Sequence, residues 1–151
     1  MKYFAFGSNL LKSRLEKQSK NGEKIGKVVD EGTTTLKNYD LVFNKKSIID
    51  GSGKANIIPK KSSQVLGIIY NLSEKQIWLL DEIEGGYQRS KVYVLYDSNS
   101  VEVCTYIAKN GSTEENLVPT KEYMNYIISG AIEHSFPADY IATLKSWKTK
   151  N

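Results

Sequence analysis

At 151 residues, with 40% hydrophobic and 25% charged side chains, the chain has the size and balance of a single folded domain and lacks the composition of a disordered one. A net charge of +4 without an Arg/Lys-rich arm or an interleaved aromatic motif gives no nucleic-acid footprint, and no apolar run approaches the ~20 residues of a membrane span. One cysteine, Cys104, excludes an internal disulfide, and with a strand beginning at once and no leader pattern a cytoplasmic location is expected.

Lys2 to Phe6 reads as a short strand, broken by Gly7-Ser8. Leu10, Leu11 and Leu15 among charged residues then predict a short helix, with Ser8 or Asn9 as its N-cap. Val28-Val29 and Thr33-Thr34-Thr35 favour a strand over 25–36, Lys37-Asn38 a turn, and 39–43 a second strand. Asp50 to Gly53 is a loop, followed by a strand over 55–58 that Pro59 should end.

Val65 to Tyr70 is apolar on both faces and reads as a central strand. Ser73 with Gln76 three residues on is a capping-box pattern, opening a helix through Ile77, Leu80 and Ile83 that Gly85-Gly86 closes. Strands over 90–96 and 101–108 follow, with Cys104 as a small core hydrophobe. Tyr123, Ile127 and Ala131 share one helical face, and Tyr140, Ile141, Leu144 and Trp147 another, with Pro137 in the first turn of the last helix. Strands in the middle flanked by helices give an α+β class, with a curled sheet or small barrel.

The chemistry narrows by elimination. The single histidine, His134, falls between two predicted helices as a loop or cap residue, and no His-x-x-x-His, paired-Cys, EF-hand or phosphate-loop spacing occurs, so neither a metal site nor a cofactor site is expected. A carboxylate, a tyrosine or a lysine is left to move protons. In Asp81-Glu82-Ile83-Glu84, the helical phase turns Leu80 and Ile83 inward and Asp81 and Glu82 to solvent. Glu84 sits at the helix end, where the dipole and partial burial both raise a carboxyl pKa toward the range a general base needs. Spacing alone favours a solvated helix end paired with Arg89. The Gly7-Ser8-Asn9 turn, with N–H groups aimed above the strand, can likewise be a ligand cradle or a plain connection.

Taken together, the motifs resemble one family. Tyr3-Phe4-Ala5-Phe6-Gly7-Ser8-Asn9-Leu10 is similar to the Tyr-Gly-Ser-Asn signature of the γ-glutamylcyclotransferase (AIG2-like) family. Gly53 to Pro59 resembles its Gly-x-Ala-x-Ile strand, Val65 to Tyr70 its Val-x-Gly-Val strand, and Leu80 to Gly85 with Tyr87 the segment of its catalytic glutamate. Pro119, Tyr123, Gly130-Ala131 and Phe136-Pro137 with Tyr140 and Leu144 follow its closing helices.

The resemblance spans residues 1–151 as one domain and implies a small mixed barrel with flanking helices that releases 5-oxoproline from γ-glutamyl compounds without a cofactor. It puts the catalytic acid/base on Glu84 and substrate binding on Tyr3, Phe4, Ala5, Phe6, Gly7, Ser8, Asn9 and Tyr106. The expected partner is a small γ-glutamyl molecule, with no nucleic acid or membrane, for a monomer or homodimer. Phe6 stands where many relatives carry Tyr, and Gly-Ser-Asn differs from the Gly-Thr-Leu turn of the γ-glutamylamine branch. Two other readings stay open: a low-activity binding or regulatory module, and an enzyme acting on a γ-glutamyl-protected biosynthetic intermediate.

Overall fold

The computed structural model describes residues 1–151. In chain order it has β1 (Lys2–Ala5), a 3₁₀ turn (Ser8–Leu10), α1 (Lys12–Lys17), β2 (Ser19–Lys20), β3 (Glu23–Lys24), β4 (Val29–Lys46), β5 (Gly53–Asn71), α2 (Glu74–Ile83), β6 (Tyr87–Tyr96), β7 (Asn99–Ala108), α3 (Lys121–Glu133) and α4 (Ala138–Ser146). Five strands close a mixed barrel in the order β1-β5-β4-β6-β7; β1 meets β7 parallel through Tyr3 and Cys104, and the other neighbours are antiparallel. This is the α+β barrel expected from the sequence. β2 and β3 form a separate small hairpin. No helix is long and apolar enough to cross a membrane.

The core is the inside of the barrel together with the faces of α2, α3 and α4 that cover it. Val65, Ile68, Ile69 and Tyr70 are fully buried, as the two-sided apolar pattern of that strand requires. Ile77 and Leu80 of α2 and Tyr123, Ile127 and Ala131 of α3 supply the covering faces. The capping box of α2 forms: the Ser73 side chain accepts from the Gln76 N–H, and the Gln76 side chain accepts from the Ser73 N–H at 2.9 Å.

Several local expectations give way. Lys37-Asn38 is no turn, and Pro59 does not end a strand. β4 and β5 are one long ribbon of 18 and 19 residues. Its register passes from Lys37 opposite Gln64 to Tyr39 opposite Pro59. Asn38 (φ 65°) and Ser62 (φ 68°) take left-handed conformations at this irregularity, and the Asn38 side chain accepts from the Ser62 N–H at 3.2 Å. The turn residues therefore build a bulge that bends the ribbon, the setting in which a strand tolerates proline.

Neither Ser8 nor Asn9 caps a helix; the 3₁₀ turn and α1 follow Gly7 and Leu11, without side-chain caps. Asn9 is instead buried. Pro137 stands at the N-cap of α4, one residue before its first turn. β6 starts at Tyr87, three residues earlier than expected. Asp81 does not simply face solvent: the Tyr106 hydroxyl donates to it at 2.6 Å, and Arg89 pairs with it rather than with Glu84.

Helix α3 fixes the turn after β1 through a close approach at Gly130. A methyl group there would lie 2.4 Å from the Leu10 carbonyl carbon and 2.5 Å from the Leu11 nitrogen. The Tyr70 hydroxyl anchors the same turn by donating to the Leu10 carbonyl at 3.0 Å. Gly130→Ala should therefore destabilise the protein by about 1–3 kcal/mol, read as a lower urea midpoint with an unchanged m-value. An unaltered midpoint would mean that α3 yields at this crossing.

Candidate active site

Three chain segments meet at one end of the barrel. β1 brings in Tyr3 and runs through Phe6 into the Gly7-Ser8-Asn9 turn. Gly7 lets β5 and α3 come close, because a side chain there would meet the Ala55 Cβ at 3.0 Å and the Tyr123 hydroxyl at 3.4 Å. The C-terminus of α2 delivers Glu84 as its C-cap residue, with the Glu84 N–H donating to the Leu80 carbonyl at 2.8 Å. From β7 comes Tyr106, edge-on to Tyr3 with ring centroids 5.8 Å apart.

These residues enclose a cavity of about 40 Å³ lined by Tyr3, Phe6, Gly7, Ser8, Asn9 and Glu84 with Ala55, Tyr87, Tyr106 and Tyr123. Seven of the nine residues singled out from the sequence thus come together. Phe4 and Ala5 do not line the cavity. Both are buried in the core, Phe4 because alternate residues of a strand point to opposite sides.

Glu84 is half-buried, and its carboxyl is pushed up to about 7. Burial is the main cause; an Asn9 hydrogen bond, then Lys45 and Arg14, oppose it by favouring the charged form. The Asn9 side-chain amide donates to Glu84 Oε1 at 3.3 Å and to the Tyr3 hydroxyl at 3.0 Å, while its own carbonyl accepts from the Gln18 amide. Gln18 thereby fixes which way the Asn9 amide points. A carboxyl near neutrality in a walled cavity can both accept and return a proton at physiological pH.

The tyrosine hydroxyls are polarised by their partners. Tyr87 donates to the Ala55 carbonyl at 2.7 Å and Tyr106 donates to Asp81, so toward a ligand each can only accept. Tyr3 accepts from Asn9 and Tyr123 accepts from the Ala55 N–H at 3.0 Å, which frees their own protons to be donated. The cavity therefore has acceptors suited to an ammonium and donors suited to a carboxylate.

Outside the cavity, past Glu84, Tyr87 and Tyr123, lies an open basin of about 440 Å³ that includes Arg14, Lys45 and Lys54. Ile48 and Ile49 stand fully exposed on its rim, at the tip of the β4–β5 hairpin. Arg14 stacks on Tyr126 at 4.3 Å, with its Nε buried and without a hydrogen-bond partner. Lys54 sits 4.2 Å over the Tyr123 ring, and burial lowers its pKa, opposed by the charges of Asp50 and Glu122 and aided by those of Arg14 and Lys45. No group of three or more His, Cys, Asp or Glu side chains converges anywhere in the fold.

Sequence reasoning missed Lys45, Tyr87 and Tyr123 as site residues. Lys45 and Lys46 are adjacent lysines in the sequence, yet only Lys46 is exposed, paired with Glu114 at 3.3 Å, and Lys45 is buried. The alternation Leu41, Phe43, Lys45 carries the inward face of β4 straight to Lys45 and was the available signal. Tyr123 was legible as a core position of α3 but not as the residue whose hydroxyl reaches into the cavity.

The comparisons with known proteins agree with this architecture. A model of the AIG2-like family matches residues 64–144. The γ-glutamylcyclotransferase of Mus musculus is 28% identical over 155 residues, covering 95% of this chain and 77% of that protein. The Homo sapiens γ-glutamylcyclotransferase is 27% identical over the same shares. A solved structure described as a γ-glutamyl cyclotransferase superposes with a TM-score of 0.84, covering 99% of this chain and 89% of that one, at 24% identity, a likeness of fold.

Proposed function

The chain belongs to the AIG2-like, γ-glutamylcyclotransferase family, and from that premise we propose that it cyclises γ-glutamyl compounds to 5-oxoproline, with Glu84 as the general acid/base and no cofactor. The observation that carries this reading is a carboxyl held near neutrality in a cavity that offers both ammonium and carboxylate partners. Substrate binding falls to Tyr3, Phe6, Gly7, Ser8, Asn9 and Tyr106, with Tyr87 and Tyr123 added from the geometry.

The γ-glutamyl head binds where the cavity opens into the outer basin, between Ser8, Glu84, Tyr87 and Tyr123, with its ammonium toward Glu84 and its γ-carbonyl at the Gly7-Ser8-Asn9 turn. Leu10 and Leu11 N–H groups are spent on the Gly7 and Ser8 carbonyls, so those of Ser8 and Asn9 have no acceptor within the turn. They are placed to stabilise charge growing on the γ-oxygen. Glu84 takes a proton from the α-ammonium, the amine forms the C–N bond of a five-membered lactam, and the bond to the departing nitrogen breaks. Two protons pass overall from the attacking nitrogen to the departing one, one of them by way of Glu84, so no water is consumed. Folding both reactants of one molecule together can supply about 7–11 kcal/mol of the barrier.

The departing half projects into the outer basin, where Arg14 and Lys54 rest on aromatic rings rather than on carboxylates. This favours an amino acid as leaving group over a plain amine. γ-Glutamyl-ethylamide is γ-glutamyl-alanine without its leaving-group carboxylate and gives a matched comparison. The alanine compound should have a kcat/KM about 10-fold higher, the low end for hydrogen bonding to a charged group, and Arg14→Gln or Lys54→Gln should shrink that ratio. Equal kcat/KM for the two compounds would remove the basin from substrate selection.

A further inference from the structure

The contact that contradicts the expected orientation of Asp81 gives that residue a role. Asp81 and Glu84 lie three residues apart at the C-terminal end of α2. One carboxylate reaches the cavity. The other reaches behind its wall, where Asp81 Oδ1 accepts from the Tyr106 hydroxyl at 2.6 Å and from Arg89 Nε at 3.2 Å. Arg89 and Tyr106 are direct cross-strand partners on β6 and β7, so a single carboxylate from the helix end ties together two side chains that the sheet already places side by side. Both ends of this chain are constrained, since Tyr106 also packs edge-on against Tyr3.

The consequence is chemical as well as structural. A phenol hydroxyl has one proton, and at Tyr106 that proton is directed away from the cavity it lines. Burial, then the Asp81 hydrogen bond and charge, raise the Tyr106 pKa, so the phenol keeps its proton at every working pH. Resting on the cyclisation reading above, we propose that Asp81 is a positioning residue that holds the Tyr106 hydroxyl as a hydrogen-bond acceptor for the substrate's α-ammonium. Arg89 keeps Asp81 in place from the far side. The end of α2 therefore supplies both the group that removes the ammonium proton and, indirectly, a group that orients the ammonium for removal.

The test is a double-mutant cycle on Asp81 and Tyr106, with γ-glutamyl-alanine as substrate and glutaryl-alanine as inhibitor. The inhibitor has the same skeleton without the α-amino group. Asp81→Ala and Tyr106→Phe should each raise KM for the substrate about 10-fold, the scale of a hydrogen bond to a charged group, with kcat changed much less. The double variant should be no worse than Tyr106→Phe alone, because Asp81 acts only through that hydroxyl. Asp81→Asn retains an acceptor oxygen and should recover most of the loss. The inhibition constant for glutaryl-alanine should stay within about 2-fold of wild type throughout, which a general loosening of the cavity would not produce.

Multiplicative effects of the two substitutions, or an equal weakening of glutaryl-alanine, would overturn the proposal while leaving the cyclisation reading intact. A wild-type protein that turns over no γ-glutamyl compound would overturn both.

Discussion

Glu84→Gln should leave the barrel folded and lower kcat on γ-glutamyl-alanine by about 10²–10⁴-fold, the range over which positioned acid–base groups contribute. Gln matches Glu in shape and keeps an oxygen for the Asn9 amide, which donates to Glu84 Oε1 at 3.3 Å. It cannot carry a proton. Glu82 is the control: it lies two residues away, is exposed, and stands on the outer basin but not in the cavity where bonds change. Glu82→Gln should change kcat by less than about 3-fold, since it removes no group from the cavity itself and exposed substitutions act weakly. Steady-state rates of the two variants, checked for folding by circular dichroism, separate a specific base from a generally acidic helix end. Near wild-type turnover by Glu84→Gln would remove Glu84 from the mechanism.

The second expectation concerns pH and couples activity to stability through the same carboxyl. With Glu84 acting as base and titrating near 7, kcat/KM should fall about 10-fold per pH unit below that point. Asn9→Ala and Lys45→Met should both move this acid limb to higher pH, because each removes a partner that favours the charged form. Stability should run the other way. A carboxyl whose folded pKa lies above its unfolded value binds more protons in the folded state, so stability is lost as pH rises from about 4.5 to about 7. Above that window the full cost of burying the charge remains. The interval corresponds to at most about 3 kcal/mol, reduced by water at the cavity mouth to about 1–3 kcal/mol. Glu84→Gln should therefore be the more stable protein at pH 8, and its advantage should vanish by pH 4. Urea unfolding of both proteins at the two pH values measures it. Equal stability at pH 8 would mean that Glu84 is well solvated, and the argument for a raised pKa would fall with it.

How much of this was legible in the sequence depended on whether a residue's role is local or made by distant partners. The α2 capping box, the two-sided burial of β5 around Ile68 and the inward face of α3 follow from short-range pattern, and all are present. Glu84 was readable as a helix-end carboxylate because Ile83 and Gly85-Gly86 mark where α2 stops. The long ribbon was not. Lys37-Asn38 and Pro59 carry turn signals that the folded chain uses for a bulge, and only cross-strand pairing distinguishes the two uses. Asp81 was assigned to solvent by helical phase, yet its partners come from β6 and β7, which no periodicity within α2 can announce. Asn9 shows the same limit. Its residue type suggested a cap, whereas its function depends on Gln18, Tyr3 and Glu84 arriving from three other places.

The central claim is an intramolecular cyclisation, and isotope content separates it from hydrolysis in one measurement. The purified protein is incubated with γ-glutamyl-alanine in H₂¹⁸O and the products are identified by mass. Cyclisation yields 5-oxoproline and alanine in equal amounts with no ¹⁸O in either, and Glu84→Gln forms the same products about 10²–10⁴-fold more slowly. Glutamate carrying ¹⁸O in its γ-carboxylate, or unchanged substrate, would contradict the account.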